Sequence, residues 1–124
     1  MNNVAEMIRT YARGPAQETD RGWERTYVFA PDFVGFQGHF PGAPILPAIM
    51  QIMTIRQAVA EQTGENLRVA RILRTKFMQT ITADMPVTAI WNLRTREGVT
   101  HCKCSLEAGG RSASSITMEL TAGD

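Results

Sequence analysis

The feature that most constrains this fold is a helical segment whose surface is apolar nearly all the way round. Residues 47–62 contain no glycine and no proline after Pro47, and Gly64 follows as a helix stop. A helix of this kind is buried, and this one is too short to span a membrane. The rest of the chain must therefore cover it. Its apolar residues are Ile49, Met50, Ile52, Met53, Ile55, Ala58, Val59 and Ala60.

Segments on both sides of the predicted helix alternate apolar and polar residues, a pattern that indicates β-strands. Short glycine-bearing connections at 96–98 and 108–110 are typical of antiparallel hairpins. We therefore expect one strand, a loop, the central helix and then four strands in a meander. The predicted strands cover 23–29, 68–77, 86–94, 99–106 and 112–120.

A short N-terminal helix completes this α+β architecture. Asn3 can cap the helix, and Gly14 with Pro15 ends it. One curved antiparallel sheet wrapped around one buried helix is the hot-dog fold, and 124 residues suffice for a single domain of this kind, spanning 1–124. Such a small sheet has edges to protect. Pairing two copies side by side is a common solution, so we expect a homodimer.

The bulk composition excludes several classes of function. The chain is 44% hydrophobic and 20% charged, as is ordinary for a globular protein. A net charge of +1 argues against nucleic acid as the main partner, because nucleic-acid-binding domains usually carry a basic excess. No apolar run is long enough to cross a bilayer, and the first residues lack a basic-then-apolar signal pattern. We therefore expect a cytoplasmic protein that does not span the membrane.

The two cysteines lie two positions apart in a predicted strand. Cys102 and Cys104 should therefore point to the same face, which favours buried thiols over a disulfide between them. The adjacent His101 would face the other way, and no fourth ligand is evident. We expect neither a metal site nor a cofactor.

A rigid loop with one imidazole stands immediately before the apolar helix. Residues 38–47 read GHFPGAPILP, and the three prolines restrict the shapes that the segment can adopt. Histidine is the side chain best suited to moving protons near neutral pH. A histidine in a rigid turn can also do no more than satisfy backbone carbonyls. The position ahead of a buried helix favours a catalytic role for His39.

The spacing of this loop resembles a known enzyme family. The pattern His39-Phe40-Pro41-Gly42-x-Pro44-x-x-Pro47, followed by a helix that carries Gln57, is similar to that of the β-hydroxyacyl-acyl-carrier-protein dehydratases of fatty acid synthesis. The likeness extends over 23–120. It implies the removal of water from a 3-hydroxyacyl thioester to give a 2-enoyl thioester. It also implies an acyl carrier protein or coenzyme A thioester as partner.

The resemblance assigns roles to individual residues. His39 would be the base that removes the C2 proton. Backbone N–H groups of Gly42 and Ala48, at the start of the helix, would polarise the thioester carbonyl. In the family, the position of Ala48 is typically glycine. Met53 and Gln57 would line the substrate site. Phe36, an apolar residue close to the motif in the sequence, could line a tunnel for the acyl chain, although core packing is the ordinary role of such a residue.

The chain departs from the family one turn inside the helix. The family has Glu or Asp at the position of Met53, where the carboxyl acts on the departing hydroxyl. Gln57 matches the family's glutamine one turn later, so the helix register is retained. Loss of a positioned acid costs about 10²–10⁴-fold in rate. Glu61 lies roughly 12 Å beyond Met53 along the axis, which is too far to replace it. Asp32 could approach the loop, although a turn role after Pro31 is the ordinary interpretation.

Three functions stay open on these residues. The first is a 3-hydroxyacyl thioester dehydratase with an altered site. The second is a non-catalytic acyl-binding or partner subunit of a dehydratase, and the third is an acyl thioesterase. A basic cluster also has two interpretations, as a docking surface for an acidic carrier protein or as a solvated strand face. Its members are Arg68, Arg71, Arg74 and Lys76.

Overall fold

The computed structural model describes residues 4–36 and 44–123 and shows an antiparallel sheet packed around a central helix. Helix α1 spans Val4–Thr10 and helix α2 spans Ala48–Thr63, with a 3₁₀ turn at Val34–Phe36 between them. None of the helices in the described ranges has the length and apolar character needed to cross a bilayer. The strands are β1 Gln17–Thr19, β2 Gly22–Val28, β3 Leu67–Phe77, β4 Pro86–Arg96, β5 Val99–Ala108 and β6 Arg111–Ala122.

The predicted strands are confirmed, and burial alternates clearly along β5. On β5 every second residue is buried from Thr100 to Ala108, and these residues form the inner face that packs toward α2. Cys102 and Cys104 both belong to this face, as buried free thiols. A strand with one buried and one exposed face produces this period of two. The hydrophobic pattern therefore predicts which side of the sheet meets the helix.

The predicted meander is right for β4, β5 and β6 and wrong for β3. The sheet order is β1-β2-β4-β5-β6-β3, so β3 lies at the far edge beside β6. Their register runs from Leu67 opposite Ala122 to Phe77 opposite Ser114. The connection 78–85 is too long for a tight hairpin, and it carries the chain from one edge strand back to β4 in the middle of the sheet.

The short strand β1 was not expected, because its sequence QET shows no apolar alternation. It forms a hairpin with β2 in which Thr19 pairs with Gly22. Gly22 has φ +125°, and a Cβ there would lie 2.6 Å from the carbonyl oxygen of Trp91. Only glycine fits this close approach between backbones. The turn between Thr19 and Gly22 therefore closes a hairpin.

Helix α2 is buried through its middle, as its sequence predicts. Its buried residues include polar side chains, Gln51, Thr54 and Gln57, among the aliphatic ones. The helix ends at Gly64, which adopts φ 73° and donates its N–H to the carbonyl of Ala60 at 2.9 Å. The first turn is different, since Ile49 is 58% exposed. The start of α2 therefore faces outward while its centre forms the core.

Candidate active site at the start of helix α2

The structure describes part of the predicted site. Phe36, Ala48, Met53 and Gln57 belong to the described residues, whereas His39 and Gly42 lie outside them. Met53 and Gln57 occupy successive turns of α2, with Glu61 on the turn after that. Within the described part of the chain, no three His, Cys, Asp or Glu side chains cluster as metal ligands would.

Helix α2 begins with backbone donors that the described side chains leave uncapped. Pro47 occupies the N-cap in an extended conformation, with φ −72° and ψ 162°, and no side chain in the described ranges caps the helix. Its carbonyl accepts from the N–H of Met50 at 3.0 Å and of Gln51 at 3.1 Å. No described residue provides a backbone acceptor for the N–H of the exposed Ala48. A free N–H at a helix N-terminus can stabilise negative charge on a carbonyl oxygen.

The segment that leads into α2 is fixed by hydrogen bonds. Ile45 forms a β-bridge with Thr82, and the N–H of Leu46 donates to the carbonyl of Ile81 at 2.8 Å. The amide of Gln51 donates to the carbonyl of Leu46 at 3.1 Å. Gln51 is only 4% exposed, and its Oε1 has no hydrogen-bond partner among the described residues. This positioning role was missed from the sequence, and the signal was a glutamine in an otherwise apolar helix.

Met53 offers no acid, and the described carboxylates considered as substitutes have other partners. The Met53 side chain is half-buried and packs against the core. Glu61 lies 2.8 Å from the guanidinium of Arg25. Asp32 is exposed beside the hydroxyl of Tyr11, where partial burial, followed by the charge and hydrogen bond of Asp32, raises the pKa of that tyrosine. Neither carboxylate is directed to the position one turn into α2 where the family has its acid.

The amide of Gln57 is hydrogen-bonded inside the protein at both ends. Its Oε1 accepts from the Tyr27 hydroxyl at 2.6 Å and from Nη1 of Arg25 at 3.4 Å. Its Nε2 donates to Glu61 at 2.9 Å. Burial raises the pKa of Tyr27 to about 12, so the phenol stays protonated and can donate. These hydrogen bonds attach α2 to β2. A contact between Gln57 and the substrate stays a prediction.

Arg25 completes the group of hydrogen-bonded polar side chains that joins β2 to α2. Its side chain is 6% exposed, yet it carries a permanent charge. Nε donates to the carbonyl of Gly14 at 3.0 Å, and the guanidinium carbon lies 5.5 Å from the centroid of the Tyr27 ring. A buried charge is tolerated only when its donors are satisfied. The carbonyl of Gly14, the amide of Gln57 and the carboxylate of Glu61 together satisfy it.

Phe36 belongs to an aromatic cluster that ends where the histidine segment begins in the sequence. Its ring lies 5.7 Å from that of Phe33 and 6.4 Å from that of Phe29, both nearly edge to face. Phe36 is 4% exposed, so its ring is part of the core. Tyr11 from the segment after α1 contacts the same cluster. A contact between Phe36 and an acyl chain stays a prediction.

The predicted basic cluster faces away from α2. Arg71, Arg74 and Lys76 pair across the sheet with Glu119, Thr117 and Ser115, whose neighbours along β6 form the buried inner face. The cations therefore stand on the outer face of the edge strand. This placement is that of a solvated strand face, and docking of a carrier protein there stays a prediction.

A curved antiparallel sheet around one buried helix defines a hot-dog protein. Comparison with protein families narrows this class. A family model described as ApeI-like, ApeI dehydratase, matches residues 15–115. The chain belongs to the ApeI-like dehydratase family.

Solved structures share the fold at low sequence identity. The dehydratase heterocomplex ApeI:P from Xenorhabdus doucetiae superposes with a TM-score of 0.71 at 18% identity, covering 89% of this chain and 96% of that one. The E. coli PaaI protein from the phenylacetic acid degradation operon gives 0.68 at 10% identity, covering 96% and 89%. At these identities the likeness shows the fold alone.

A curated relative matches over a short segment. The 3-hydroxyacyl-[acyl-carrier-protein] dehydratase FabZ of Erythrobacter litoralis (strain HTCC2594) is 51% identical over 35 residues. This segment covers 28% of the present chain and 23% of that protein. The match therefore spans less than a quarter of the relative's length.

Proposed function

We propose that this chain is a 3-hydroxyacyl thioester dehydratase, acting on a substrate carried by acyl carrier protein or coenzyme A. The observation that carries the proposal is the ApeI-like match over 15–115, which includes both the segment with His39 and the start of α2. The short FabZ match and the N–H of Ala48, which has no backbone acceptor among the described residues, support it further. Its cytoplasmic location and single-domain organisation over 1–124 stay predictions.

In this proposal His39 performs both proton transfers. The imidazole removes the proton from C2 while the N–H groups of Ala48 and Gly42 stabilise the charge that develops on the thioester oxygen. Because Met53 has no proton to give, the imidazolium returns the same proton to the departing hydroxyl at C3. The C2–H and C3–O bonds break, the C2=C3 bond forms and water leaves. Met53 then acts as an apolar wall for the acyl chain.

The experiment is a turnover assay with 3-hydroxyacyl thioesters of both carriers, in which mass spectrometry detects the loss of water. The wild type should form the 2-enoyl product, and His39→Ala should lower the rate to the background. Met53→Glu should raise the rate by about 10²-fold or more, because it restores a positioned acid. Met53→Gln is the matched control, since it adds a polar group of similar size without an acid and should not raise the rate. A wild type without turnover would contradict the proposal.

A second candidate is a partner subunit that needs another hot-dog chain for activity. Met53 favours it, because the expected acid is absent from this chain. The ApeI:P structure is named as a heterocomplex, which supports the same candidate. A wild type that is inactive alone while Met53→Glu is active would support this second function. Release of free thiol in the same assay would instead support a thioesterase.

We also propose a homodimer formed through the edge strand β3. Ile72, Leu73 and Phe77 on this strand are 47%, 43% and 45% exposed, and its outer edge has no neighbouring strand in the described sheet. A second copy would pair with this edge and cover these side chains. Analytical ultracentrifugation should show a dimer that Leu73→Asp shifts to monomer. Val34→Asp is the control, because Val34 is equally exposed at 43% but lies outside β3. Dimers that resist Leu73→Asp would contradict this interface.

A further inference from the structure

A groove on the outer face of the sheet lies across β4, β5 and β6, on the side opposite α2. Its volume is about 530 Å³, within the range of small-molecule sites. Six polar or charged side chains contribute to its lining, and none of them has a role in the reaction proposed above. They are Asn92, Arg94, Arg96, His101, Lys103 and Thr117.

The register of the strands brings three cations together in this groove. Arg94 and Arg96 point to the same face of β4, and two residues along a strand are about 6.8 Å apart. Arg94 lies opposite His101, which makes Lys103 its diagonal neighbour on β5, about 7–8 Å away. Lys103 in turn lies between Asn92 and Thr117 on the neighbouring strands. Arg96 lies opposite Val99, four residues from Lys103 along β5, so the three cations form a row with Arg94 in the middle, flanked by two uncharged hydrogen-bonding side chains.

These cations have no anionic partner in the described part of the chain. Arg94, Arg96 and Lys103 are exposed, and none of them forms an ion pair with a described carboxylate. The neighbouring Glu119 is engaged at 3.6 Å by each of Arg71 and His101. The whole chain carries a net charge of only +1, so this concentration of cations is local. Their mutual repulsion is relieved when an anion binds between them.

We propose that this groove binds an organic diphosphate, such as the diphosphate of a nucleotide or of a nucleotide coenzyme. The planar fork of each arginine suits two oxygens of one phosphate, and Lys103 adds a point charge for the second phosphate. Asn92 and Thr117 can hydrogen-bond the attached sugar. The volume of the groove fits a molecule of this size better than a macromolecular surface. The site is independent of the dehydratase proposal, because it lies across the sheet from α2.

The experiment is isothermal titration of the full chain with ADP, coenzyme A, pyrophosphate and inorganic phosphate at constant ionic strength. The three diphosphates should bind at least tenfold more tightly than inorganic phosphate. ADP and coenzyme A compared with one another separate a free nucleotide from a coenzyme as the source. The double variant Arg94→Gln, Lys103→Gln should weaken ADP binding at least tenfold. The control double variant Arg68→Gln, Arg111→Gln removes the same charge from exposed positions outside the groove and should change the affinity less than twofold.

Several outcomes would overturn this proposal. Equal weakening by the two double variants would mean that only the overall charge attracts the ligand. Absence of binding by all three diphosphates at millimolar concentration would also overturn the proposal. Preferential binding of a poly-glutamate peptide would assign the groove to an acidic polypeptide instead. All four substituted positions of the two double variants are exposed. A melting temperature within a few degrees of wild type verifies that each variant is folded. If the groove double variant fails that check, Arg96→Gln alone provides the comparison.

Discussion

The Tyr27 hydroxyl donates a 2.6 Å hydrogen bond to Oε1 of Gln57, which attaches the central helix to strand β2 inside the core. The family motif places a glutamine at this point of the helix, and here its amide has partners at both ends. The residue therefore acts first on the position of α2.

Removal of the Tyr27 hydroxyl should destabilise the fold. Tyr27→Phe leaves Oε1 of Gln57 with only the 3.4 Å contact from Arg25, and loss of such a buried bond costs about 1–2 kcal/mol. Urea unfolding followed by tryptophan fluorescence measures the change. Tyr11→Phe is the matched control, because its ring is only half-buried, and it should cost less than about 0.5 kcal/mol. Equal losses for the two variants would contradict the importance of this bond.

Gly22→Ala should be one of the more damaging single-methyl additions in the chain. The backbone at φ +125° disfavours any side chain, and the new Cβ would lie 2.6 Å from the Trp91 carbonyl oxygen. We expect a loss of more than about 2 kcal/mol in the free energy of unfolding. Gly64→Ala provides the comparison, since φ is +73° but nothing lies within 4 Å, and it should cost about 1 kcal/mol. The prediction fails if both variants lose the same stability.

The two thiols should be unreactive while the protein is folded. The neighbouring Cys102 thiol, followed by burial, raises the pKa of Cys104, whose Sγ also donates to the carbonyl of Ile116 at 3.0 Å. Thiolate is the reactive form, so alkylation by iodoacetamide at pH 8 should be at least about 100-fold slower than in denaturant. Mass spectrometry over a time course measures both rates. Native labelling at nearly the unfolded rate would show that this strand opens readily.

Acid should remove the contribution of Glu24 to stability. The Arg21 guanidinium, followed by the Thr19 hydroxyl, holds the pKa of Glu24 below its ordinary value of 4.5. A carboxyl with a lowered folded-state pKa contributes stability above pH 4.5 and loses it as pH falls through the folded-state value. Glu24→Gln should therefore flatten the decline in stability below pH 4.5, as measured by melting temperature against pH. Arg21→Gln should flatten it in the same way, and an unchanged slope in both variants would contradict the assignment.

Much of the fold follows from local patterns in the sequence, and what was missed depends on distant contacts. Alternation along β5 predicts that Cys102 and Cys104 share the buried face, because side-chain direction in a strand is a local property. Local alternation does not predict that β3 pairs with β6. That arrangement depends on pairing between Leu67 and Ala122, residues far apart in the chain, and the long connection 78–85 has no turn signal that would exclude a neighbouring β4.

In the candidate site, too, the local features were predicted from the sequence and the contacts between distant segments were not. The spacing between Pro47 and Gln57 predicts the register of α2, and the structure places Pro47 at the N-cap and Gln57 within the helix. The partners of Gln57 come from β2, and a motif carries no information about residues on another strand. The buried Arg25 likewise could be predicted to face inward by alternation, but its three acceptors could not.

The irregular register of β3 bears on how many copies can join. Its pairing with β6 shifts between Val69 and Arg71 and again between Ile72 and Arg74, so the strand is bent at two points. The opposite edge of the sheet is the three-residue β1. A bent strand accepts only a neighbour with a matching bend, and a strand as short as β1 is a poor template for further addition. Growth of this sheet into a fibre is therefore blocked at both ends, even though the chain exposes apolar side chains along β3.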